Sequence, residues 1–546
     1  MLPTTPPIQK LLAILALASV TAAQTPVILI SIDTLRADHL GIYGYKSIPT
    51  PNLDAFATGG TVFANVDCQT PLTLPSHTSL FTSTYPFESG IQENAEQIPA
   101  NAVTLASVLK SHGYKTAAFV SSVFLEQEMG LDKGFDTYDS PFHFAAFSPV
   151  SGEMFLGGPP NLSIARERRE GALTVHAAAR WLAAKKNQPV FVFIHLFDLH
   201  TPYSIPEHRG ISRYDAQLVL EDEIVGRLKN LLVQGGWWDK SLTILLSDHG
   251  EGLGDHGEQS HGYFIYESTL HVPLIFHWPT NHTAQYQLGG LIDVAPAVLD
   301  FLHLPIPASF QGRTLPHPIY SESLHTHDSF GWSPLRSVRV GNNKYIEAPK
   351  PELYDLSKDP AEKHNLVLTN PELARTLRAE LGKILALQTE RPASPGSTTP
   401  QTERLLASLG YLGRGPDAKK SGADPKDRLP EFHLYEKAIE KMGDRDLTAA
   451  ITLLKQVLAE DPANTLARRD LASCYLDLHN YAQARTNFQL VVKAAPRDYP
   501  AQFGLGLAAK HLKMIEEART HLEAACKLAP QASQCQTELR DLSRIP

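Results

Sequence analysis

The fold of this 546-residue chain is decided by the stretch Val27-Ile28-Leu29-Ile30-Ser31-Ile32-Asp33. A short, almost wholly apolar run that ends in an acid is typical of a buried strand in a parallel sheet. The pattern recurs in Leu242-Thr243-Ile244-Leu245-Leu246-Ser247, which is followed by Asp248 and His249. Because ligands bind at the carboxyl ends of such strands, Asp33, Asp248 and His249 are expected to meet at one site.

Short apolar segments alternate with helical ones from residue 25 to about 310, which predicts a doubly wound α/β sheet. Further strands are predicted at 115–120, 190–194 and 272–276, and helices at 99–112, 166–186 and 214–234. A smaller α+β unit is expected at 315–386, with strands at 345–346 and 353–356 and a helix at 371–387. These segments together predict one large domain over residues 24–390.

A linker is predicted at residues 391–427, because Pro, Ser, Thr, Gly and charged residues dominate this stretch. Few contacts are expected to cross it, so that the parts on either side fold separately. One apolar island inside it, residues 405–412, is expected to dock back on the large domain.

The last part of the chain, residues 428–546, is repetitive. Pro462, Pro496 and Pro530 are spaced by 34 residues, and the same period relates Ala450, Ala484 and Ala518. A 34-residue period with proline at the repeat end resembles tetratricopeptide repeats, of which about three are expected in an all-α solenoid. The alternative is an unrelated helical bundle. Stacked repeats present a concave face, which indicates a protein or peptide partner.

The amino terminus has the pattern of an export signal. Lys10 is followed by the apolar residues 11–18 and then by the small residues Thr21-Ala22-Ala23. The alternative, a membrane anchor, needs about 20 apolar residues, more than this stretch contains. Residues 1–23 are therefore predicted to be a cleaved signal of an exported protein, periplasmic or secreted, with no integral membrane span.

The composition is that of a soluble globular protein. Hydrophobic residues make up 43% and charged residues 20% of the chain. The net charge of −9 argues against nucleic acid as a partner. The four cysteines, at positions 68, 474, 526 and 535, indicate no disulfide framework, although export would allow some of them to pair.

Thr73 is the next member of the expected site. It precedes Leu74-Pro75-Ser76-His77, where a helix is expected to begin and to offer its positive end and free amides to an anion. A bound divalent cation would make the Thr73 hydroxyl a nucleophile. Taken singly, Asp33, Thr73 and Asp248 are also ordinary helix caps or turn residues. Their joint occurrence with His249 favours a metal site.

Two further histidines follow predicted strands. His200 comes after the strand at 190–194, and His261 lies in Ser260-His261-Gly262-Tyr263. Each could donate a hydrogen bond to a bound anion or protonate a leaving group. In a chain with 23 histidines, the alternative for each of them is a structural role.

These motifs resemble the sulfatase branch of the alkaline phosphatase superfamily, and the resemblance covers most of residues 26–413. It rests on Ile32-Asp33-Thr34-Leu35-Arg36-Ala37-Asp38, Thr73-Leu74-Pro75-Ser76, Phe197-Asp198-Leu199-His200-Thr201-Pro202-Tyr203 and Ser247-Asp248-His249-Gly250-Glu251, with shorter matches at 50–54, 292–296, 352–360 and 409–412. The resemblance implies an alkaline-phosphatase-like fold. It also implies metal-assisted hydrolysis of sulfate, phosphate or phosphonate esters through a covalent enzyme intermediate.

The chain departs from the family pattern at four places. Thr73 stands where sulfatases carry a Cys or Ser that is converted to formylglycine, and threonine cannot be so converted. His77 replaces an Arg, Val120-Ser121-Ser122-Val123 replaces a sulfate-binding Gly-Lys-Trp-His element, and His261 replaces an anion-binding Lys. A threonine nucleophile resembles nucleotide phosphodiesterases and phosphoethanolamine transferases instead, so phosphate or phosphonate esters are favoured over sulfate esters.

The predicted site gives each residue a role. Asp33, Thr73, Asp248 and His249 bind the metal, Thr73 attacks the ester, and His200 stabilises charge on the non-bridging oxygens. His261 or His77 protonates the leaving oxygen. Two further residues, Asn94 and Ser121, are expected to contact the substrate.

The identity of the metal and the exact class of activity stay open at this point. The imidazole ligand favours Zn²⁺ or Mn²⁺, with Ca²⁺ or Mg²⁺ as further options. A second metal would draw on Asp198, His200 and His261, but their spacing favours a single metal site. The alternative functions are an inactive sulfatase-like scaffold whose repeats bind a protein partner, and a phospho-group transferase.

Overall fold

The computed structural model describes residues 24–94, 96–141, 168–186, 188–207, 210–280, 284–388, 421–528 and 533–543. The predicted signal at 1–23, the apolar island at 405–412 and Pro530 lie outside these residues. Among the residues described, no helix is both long and apolar enough to cross a membrane.

Within the described residues the large sheet has seven strands. They are β1 (Val27–Ile32), β2 (Gly60–Phe63), β3 (Lys115–Phe119), β4 (Thr137–Asp139), β5 (Val190–Leu196), β6 (Leu242–Leu246) and β7 (Leu274–His277). Their order across the sheet is β2-β7-β6-β1-β5-β3-β4. The five strands from β6 to β4 run parallel, while β7 and β2 pair antiparallel at one edge.

Helices and a second sheet complete the large domain. The helices are α1 (Pro51–Asp54), α2 (Thr73–Thr82), α3 (Pro86–Ser89), α4 (Leu105–Ser111), α5 (Gly171–Ala183), α6 (Arg213–Gln234), α7 (Glu267–Leu270), α8 (Val294–Phe301), α9 (His325–Phe330) and α10 (Pro371–Leu385). The second sheet is antiparallel, with β8 (Ile319–Ser323), β9 (Leu335–Val340), β10 (Asn343–Glu347) and β11 (Glu352–Asp355) as neighbours in that order.

Helices cover both faces of the large sheet. Successive residues of a strand point to opposite faces, and in β1 the apolar residues on both faces are buried. Ile28 and Ile30 of β1 pack in one core with residues of α5 and α6. Val27 and Leu29 pack in the other core with residues of α2, α4 and α8. The prediction of a doubly wound α/β sheet is therefore confirmed, and the carboxyl ends of β1, β5 and β6 lie side by side.

The carboxyl-terminal part is a helical array. It contains α11 (Leu429–Gly443), α12 (Leu447–Glu460), α13 (Thr465–Asp477), α14 (Tyr481–Ala494), α15 (Tyr499–His511), α16 (Ile515–Leu528) and α17 (Ser533–Leu542). Ala450, Ala484 and Ala518, the predicted small positions, are fully buried where consecutive helices pack. Asp446 caps α12 and Asn464 caps α13, each through a side-chain oxygen that accepts a backbone N–H of the first turn.

The prediction that few contacts join the two parts is wrong. Residues 421–427, the last part of the predicted linker, bind the large domain: Ala423 O accepts from Ser333 N at 2.9 Å, and Asp424 Oδ2 accepts from Lys350 N at 2.8 Å. Helix α11 follows directly and packs its aromatic residues on the same domain. The composition of the linker could not predict this contact, because much of it is made by the apolar face of α11, which lies outside the linker.

One disulfide closes the end of the array. Cys526 and Cys535 are bonded, with their Cα atoms 5.6 Å apart. Cys68 and Cys474 are buried thiols.

Candidate active site

The residues predicted to form a metal site come together at the carboxyl edge of the sheet. Asp33 follows β1, Asp248 and His249 follow β6, and Thr73 is the first residue of α2. Thr73 Oγ1 lies 3.4 Å from Asp33 Oδ2 and 3.5 Å from His249 Nε2. His249 Nε2 lies 3.5 Å from Asp248 Oδ2. All four side chains are fully buried.

The chemistry of this set fits a divalent cation. Ligand atoms of Asp33, Asp248 and His249 all lie within 4.8 Å of one another. Asp33 Oδ1 and Asp248 Oδ2 are buried and have no hydrogen-bond partner in the described part of the chain. Burial, together with the carboxylates nearby, raises the pKa of both aspartates well above their usual range. Two such carboxylates side by side are costly unless a cation balances their charge.

His249 is oriented as a metal ligand by its backbone. Its Nδ1 donates to Gly250 O at 3.0 Å, which leaves the lone pair on Nε2 directed at Thr73 and the two aspartates. A hydrogen bond from the ring nitrogen that does not bind the metal is the usual way in which proteins orient a ligating imidazole. Burial lowers the pKa of His249 well below its usual value, so the ring is neutral, as a ligand must be.

His195 belongs to the same cluster, and sequence reasoning missed it. It lies near the end of β5, opposite Ser31 of β1, with Nε2 3.4 Å from Asp33 Oδ2. Both of its ring nitrogens are buried without a hydrogen-bond partner among the described residues, and burial lowers its pKa to about 3. The signal was a polar residue inside the otherwise apolar run of β5. We call Asp33, Thr73, His195, Asp248 and His249 the inner cluster.

His77 is placed behind the nucleophile, which does not favour its predicted role as a proton donor to the leaving group. Its Nδ1 donates to Thr73 O at 2.7 Å, and its Nε2 accepts from Ser31 Oγ at 3.0 Å. With His195 and Asp248 it forms a second group of possible metal ligands, also fully buried. Both ring nitrogens of His77 already form hydrogen bonds, however, and these bonds fix the first turn of α2.

Asn94 holds the beginning of the same helix. Its Oδ1 accepts from Leu74 N at 2.8 Å, while its Nδ2 is buried and has no partner within the described residues. The expectation of several free amides for an anion needs correction, because Leu74 N is taken by Asn94, Pro75 has no N–H and Ser76 N donates to Leu72 O. The unpaired Asn94 amide is the donor that the site offers instead.

Ser121 is not brought into the inner cluster. It follows β3, and its hydroxyl shares a 2.6 Å hydrogen bond with the Thr174 hydroxyl of α5. Arg169 N donates to Ser121 O at 2.9 Å. The described contacts of Ser121 therefore join β3 to α5 and do not favour the predicted contact with substrate.

His200 and His261 lie next to the inner cluster, on its outer side. The His261 ring is 4.3 Å from the His249 ring and 5.1 Å from the His200 ring, between centroids. His261 Nδ1 and Glu251 Oε1 are 3.1 Å apart, and His200 Nδ1 donates to Thr201 O at 2.6 Å. Burial lowers the pKa of His261 to about 3 and raises that of Glu251 to about 8. Glu251 and His261 belong to residues 250–266, which we call the rim loop.

Sequence reasoning also missed the residues around the rim loop. His325, the first residue of α9, has Nδ1 3.2 Å from Glu93 Oε2. Glu436 of α11 completes the group: burial and the charge of Glu251 raise its pKa to about 7. No local pattern marks these residues, because they meet only through contacts between distant parts of the chain.

A second metal built from Asp198, His200 and His261 is not favoured. Among the described residues two groups of possible ligands converge, and neither contains these three side chains. Asp198 Oδ2 accepts from Gly171 N at 2.7 Å and so holds the beginning of α5. Burial raises the pKa of Asp198 to about 6.

Comparison with known proteins gives the same division of the chain. The sulfatase family model matches residues 25–304, and tetratricopeptide repeat models match residues 441–505 and 499–531. A Delta 4,5-hexuronate-2-O-sulfatase of Bacteroides thetaiotaomicron is 22% identical over 64% of this chain and 86% of its own length. Human N-acetylgalactosamine-6-sulfatase is 25% identical over 65% of this chain and 84% of its own length.

Solved structures share the fold of the large domain. A phosphonate monoester hydrolase of Agrobacterium radiobacter aligns with a TM-score of 0.53 at 20% identity, covering 67% of this chain and 96% of its own. A 2-O glycosaminoglycan sulfatase aligns with the same TM-score at 19% identity, covering 67% of this chain and 93% of its own.

Proposed function

The chain belongs to the sulfatase family, and from that premise we propose that it is a metal-dependent ester hydrolase with Thr73 as its covalent nucleophile. Its preferred substrates are phosphate or phosphonate esters rather than sulfate esters. One observation carries the proposal: the Thr73 hydroxyl lies 3.4 Å from Asp33 Oδ2 and 3.5 Å from His249 Nε2, inside a buried set of cation ligands.

The identity of the nucleophile supports the preference for phosphorus esters. A nucleophile that is an aldehyde hydrate can expel sulfate by re-forming its carbonyl group, without a second attack on sulfur. Threonine carries a methyl group on Cβ, so its alcohol cannot be oxidised to an aldehyde. The ester formed on Thr73 must therefore be opened by water at the central atom, as in a covalent phosphoenzyme.

The inner cluster prepares Thr73 for attack. Asp33, Asp248 and His249 would hold the divalent ion, which when bound supplies Lewis-acid activation of the hydroxyl and of the ester oxygens. The Thr73 hydroxyl donates toward Asp33 Oδ2, so Asp33 is placed to take its proton as Oγ1 attacks phosphorus. The bond from phosphorus to the leaving oxygen breaks. Water then attacks phosphorus, the bond to Oγ1 breaks, and the Thr73 hydroxyl is restored.

The outer residues act on the other ester oxygens. Burial raises the pKa of Glu251 to about 8, so its carboxyl group can keep its proton and donate to His261 Nδ1. The ring then carries its own proton on Nε2, which passes to the leaving oxygen while Nδ1 takes up the Glu251 proton. Asn94 Nδ2, buried beside the beginning of α2, is the donor for a non-bridging oxygen. His200 lies beside His261 and keeps its proposed role of stabilising charge on the non-bridging oxygens.

Two further expectations belong to the same proposal. Export to the periplasm or the exterior is supported by the Cys526–Cys535 disulfide, since such bonds persist in oxidising compartments. A protein or peptide partner is supported by the repeats. Helices α11 and α13 of the array contact α9 of the large domain, so we expect the partner to bind the later helices of the array.

The experiment that tests the function is a panel of four p-nitrophenyl substrates: the sulfate, the phosphate, bis(p-nitrophenyl) phosphate and p-nitrophenyl phenylphosphonate. We expect kcat/KM for at least one phosphorus ester to exceed that for the sulfate by tenfold or more, and chelator to abolish turnover. Thr73→Ala should lower kcat/KM by about 10⁴-fold, because it removes the attacking oxygen.

The outcomes separate the possible functions. A clear preference for the sulfate would contradict the substrate class. Full activity of Thr73→Ala would contradict the nucleophile. Absence of turnover on every ester would favour the inactive scaffold, and release of p-nitrophenol that depends on an added alcohol acceptor would favour a transferase.

A further inference from the structure

Helix α11, the first of the repeat array, is seated on the rim loop. The ring of Phe432 lies 3.9 Å from that of Tyr263, between centroids. His433 Nε2 donates to Gly257 O at 2.6 Å. A Cβ on Gly257 would collide with Leu429 Cδ2, so helix and loop are in close contact there. Leu429, Phe432 and His433 lie on one face of the helix at the spacing of successive turns.

The chain just before α11 holds the same loop. Tyr263 Oη donates to Pro425 O at 3.1 Å. Phe330 of α9 packs on Tyr435 at 5.4 Å between ring centroids, which joins the helix to the element that carries His325. The rim loop is thus covered by the chain from Pro425 to His433.

The rim loop depends on such support because its backbone is strained. Leu253 and His256 have φ values of 51° and 53°, in the left-handed region that side-chain-bearing residues rarely adopt. Conformations of this kind persist when the surrounding packing determines them. The side chain of Leu429 and the hydrogen bond from His433, both at Gly257, supply packing of that kind next to His256.

The loop carries its side chains directly to the inner cluster. Glu251 and His261 are its functional residues, and the His261 ring lies 4.3 Å from that of His249. A shift of the loop by 1 Å would therefore displace His261 relative to the bound ester. Glu436, one turn after Phe432 on α11, lies near enough to Glu251 and His325 for the charges of both to act on its pKa.

We propose that the first repeat helix is a structural part of the active site, with Phe432 as a positioning residue that holds the rim loop so that His261 reaches the leaving oxygen. This inference rests on the proposed function, because it takes His261 as the group that acts on the leaving oxygen. The repeat array would then serve catalysis as well as partner binding.

The test compares Phe432→Ala with Phe503→Ala in the full chain. Phe503 is a buried phenylalanine of α15, distant from the rim loop in the array, so its loss removes similar packing without touching the site. Both variants are assayed on p-nitrophenyl phenylphosphonate and on phenyl phenylphosphonate. The second ester has the poorer leaving group and depends more on His261.

Phe432→Ala should lower kcat/KM for the phenyl ester by about 10- to 100-fold, the size expected for a misplacement of 1 Å. The loss on the p-nitrophenyl ester should be at least fivefold smaller. Phe503→Ala should leave both values within twofold of the wild type. Phe432→Tyr keeps the ring and should restore most of the activity, and Phe432→Leu, an apolar replacement, should fall between Tyr and Ala.

Each outcome decides the matter. Equal losses on both esters, or the same pattern in Phe503→Ala, would overturn the positioning role. If Phe432→Ala does not fold, as seen by circular dichroism, the graded order of the Tyr and Leu variants replaces it, and activities equal to the wild type in both would overturn the role. If the wild type hydrolyses phosphate esters only, the same comparison is made on p-nitrophenyl phosphate and phenyl phosphate. Hydrolysis of none of these phosphorus esters would contradict the proposed function itself, and this inference with it.

Discussion

The inner cluster and the rim loop face each other across the active site, yet they are held in different ways. The inner cluster sits on the ends of β1, β5 and β6, whose backbones are joined in register, and Asp33 N donates to Leu196 O at 3.0 Å. The rim loop is held by side chains from α11 and the small sheet: Phe432 packs on Tyr263, and Tyr266 Oη donates to Glu352 of β11. A rigid sheet edge fixes the proposed metal ligands, while packing between separate units fixes the proposed donor to the leaving oxygen.

The largest effect is expected at the inner cluster, from Asp248→Asn. The substitution keeps the shape of the side chain but removes one of two carboxylates that a cation would balance. Bound divalent metal, measured by elemental analysis, should fall from at least one ion per chain to near zero. We expect kcat/KM to fall by about 10³-fold or more, since one metal ligand is lost.

The matched control is Asp239→Asn. Asp239 is an exposed acid just before β6, at the opposite end of the strand that carries Asp248. Its removal should change neither metal content nor activity. Equal metal content in the wild type and Asp248→Asn would show that this edge of the sheet does not bind the ion.

Most of the fold could be predicted from local sequence, and the misses have local physical causes. The helix predicted from residue 99 begins at Leu105, because Thr104 Oγ1 accepts from Ser107 N and caps it there. The strand predicted at 272–276 begins at Leu274, after Pro273, which has no N–H to donate to a neighbouring strand. In both cases the hydrophobic pattern located the element, and the chemistry of one residue, Thr104 or Pro273, determined where it begins.

The site divides in the same way. The convergence of Asp33, Asp248 and His249 could be predicted because they come just after the apolar runs of β1 and β6, and that of Thr73 because a helix begins there. His195 escaped because a polar residue inside an apolar strand has no characteristic spacing. His325 and Glu436 were missed because α9 and α11 bring them to the site only through tertiary packing. The composition of the linker also argued against any contact between α11 and the large domain.

The next effect concerns Glu267, the first residue of α7 directly after the rim loop, where a buried ion pair anchors the end of the loop to the small sheet. Lys344 Nζ of β10 lies 2.7 Å from Glu267 Oε1 and 2.9 Å from Glu362 Oε1. Burial works against the charge of Lys344, but the two glutamates outweigh it and raise the pKa of its amine. Lys344→Met leaves two buried carboxylates without a cation, which should cost about 3–5 kcal/mol in the free energy of unfolding.

Lys358→Met is the control for this change. Lys358 pairs with Asp355 at 2.6 Å, but its side chain is 82% exposed, and such exposed pairs contribute little to the free energy of unfolding. Chemical denaturation of both variants measures the difference. Similar small losses in the two would mean that the Lys344 pair does not anchor the loop.

The smallest effect is expected from His195→Leu, which tests whether the inner cluster extends to β5. His195 is neutral and lies 3.4 Å from Asp33 Oδ2, with no other partner for its nitrogens among the described residues. We expect a neutral imidazole in this position to help orient the Asp33 carboxylate that would hold the ion. Loss of such a supporting group typically weakens metal binding by about 10- to 100-fold, less than the loss of a ligand.

Metal affinity is measured by competition with a chromophoric chelator, and activity is then measured at saturating metal. The variant should bind metal more weakly yet regain most of its activity when saturated, because Thr73 and the three ligands are intact. His277→Leu is the control, since His277 is a buried histidine at the end of β7, on the opposite edge of the sheet. Unchanged affinity in His195→Leu would restrict the metal site to β1, β6 and α2. An activity loss that saturation does not repair would instead place His195 in contact with the reacting groups.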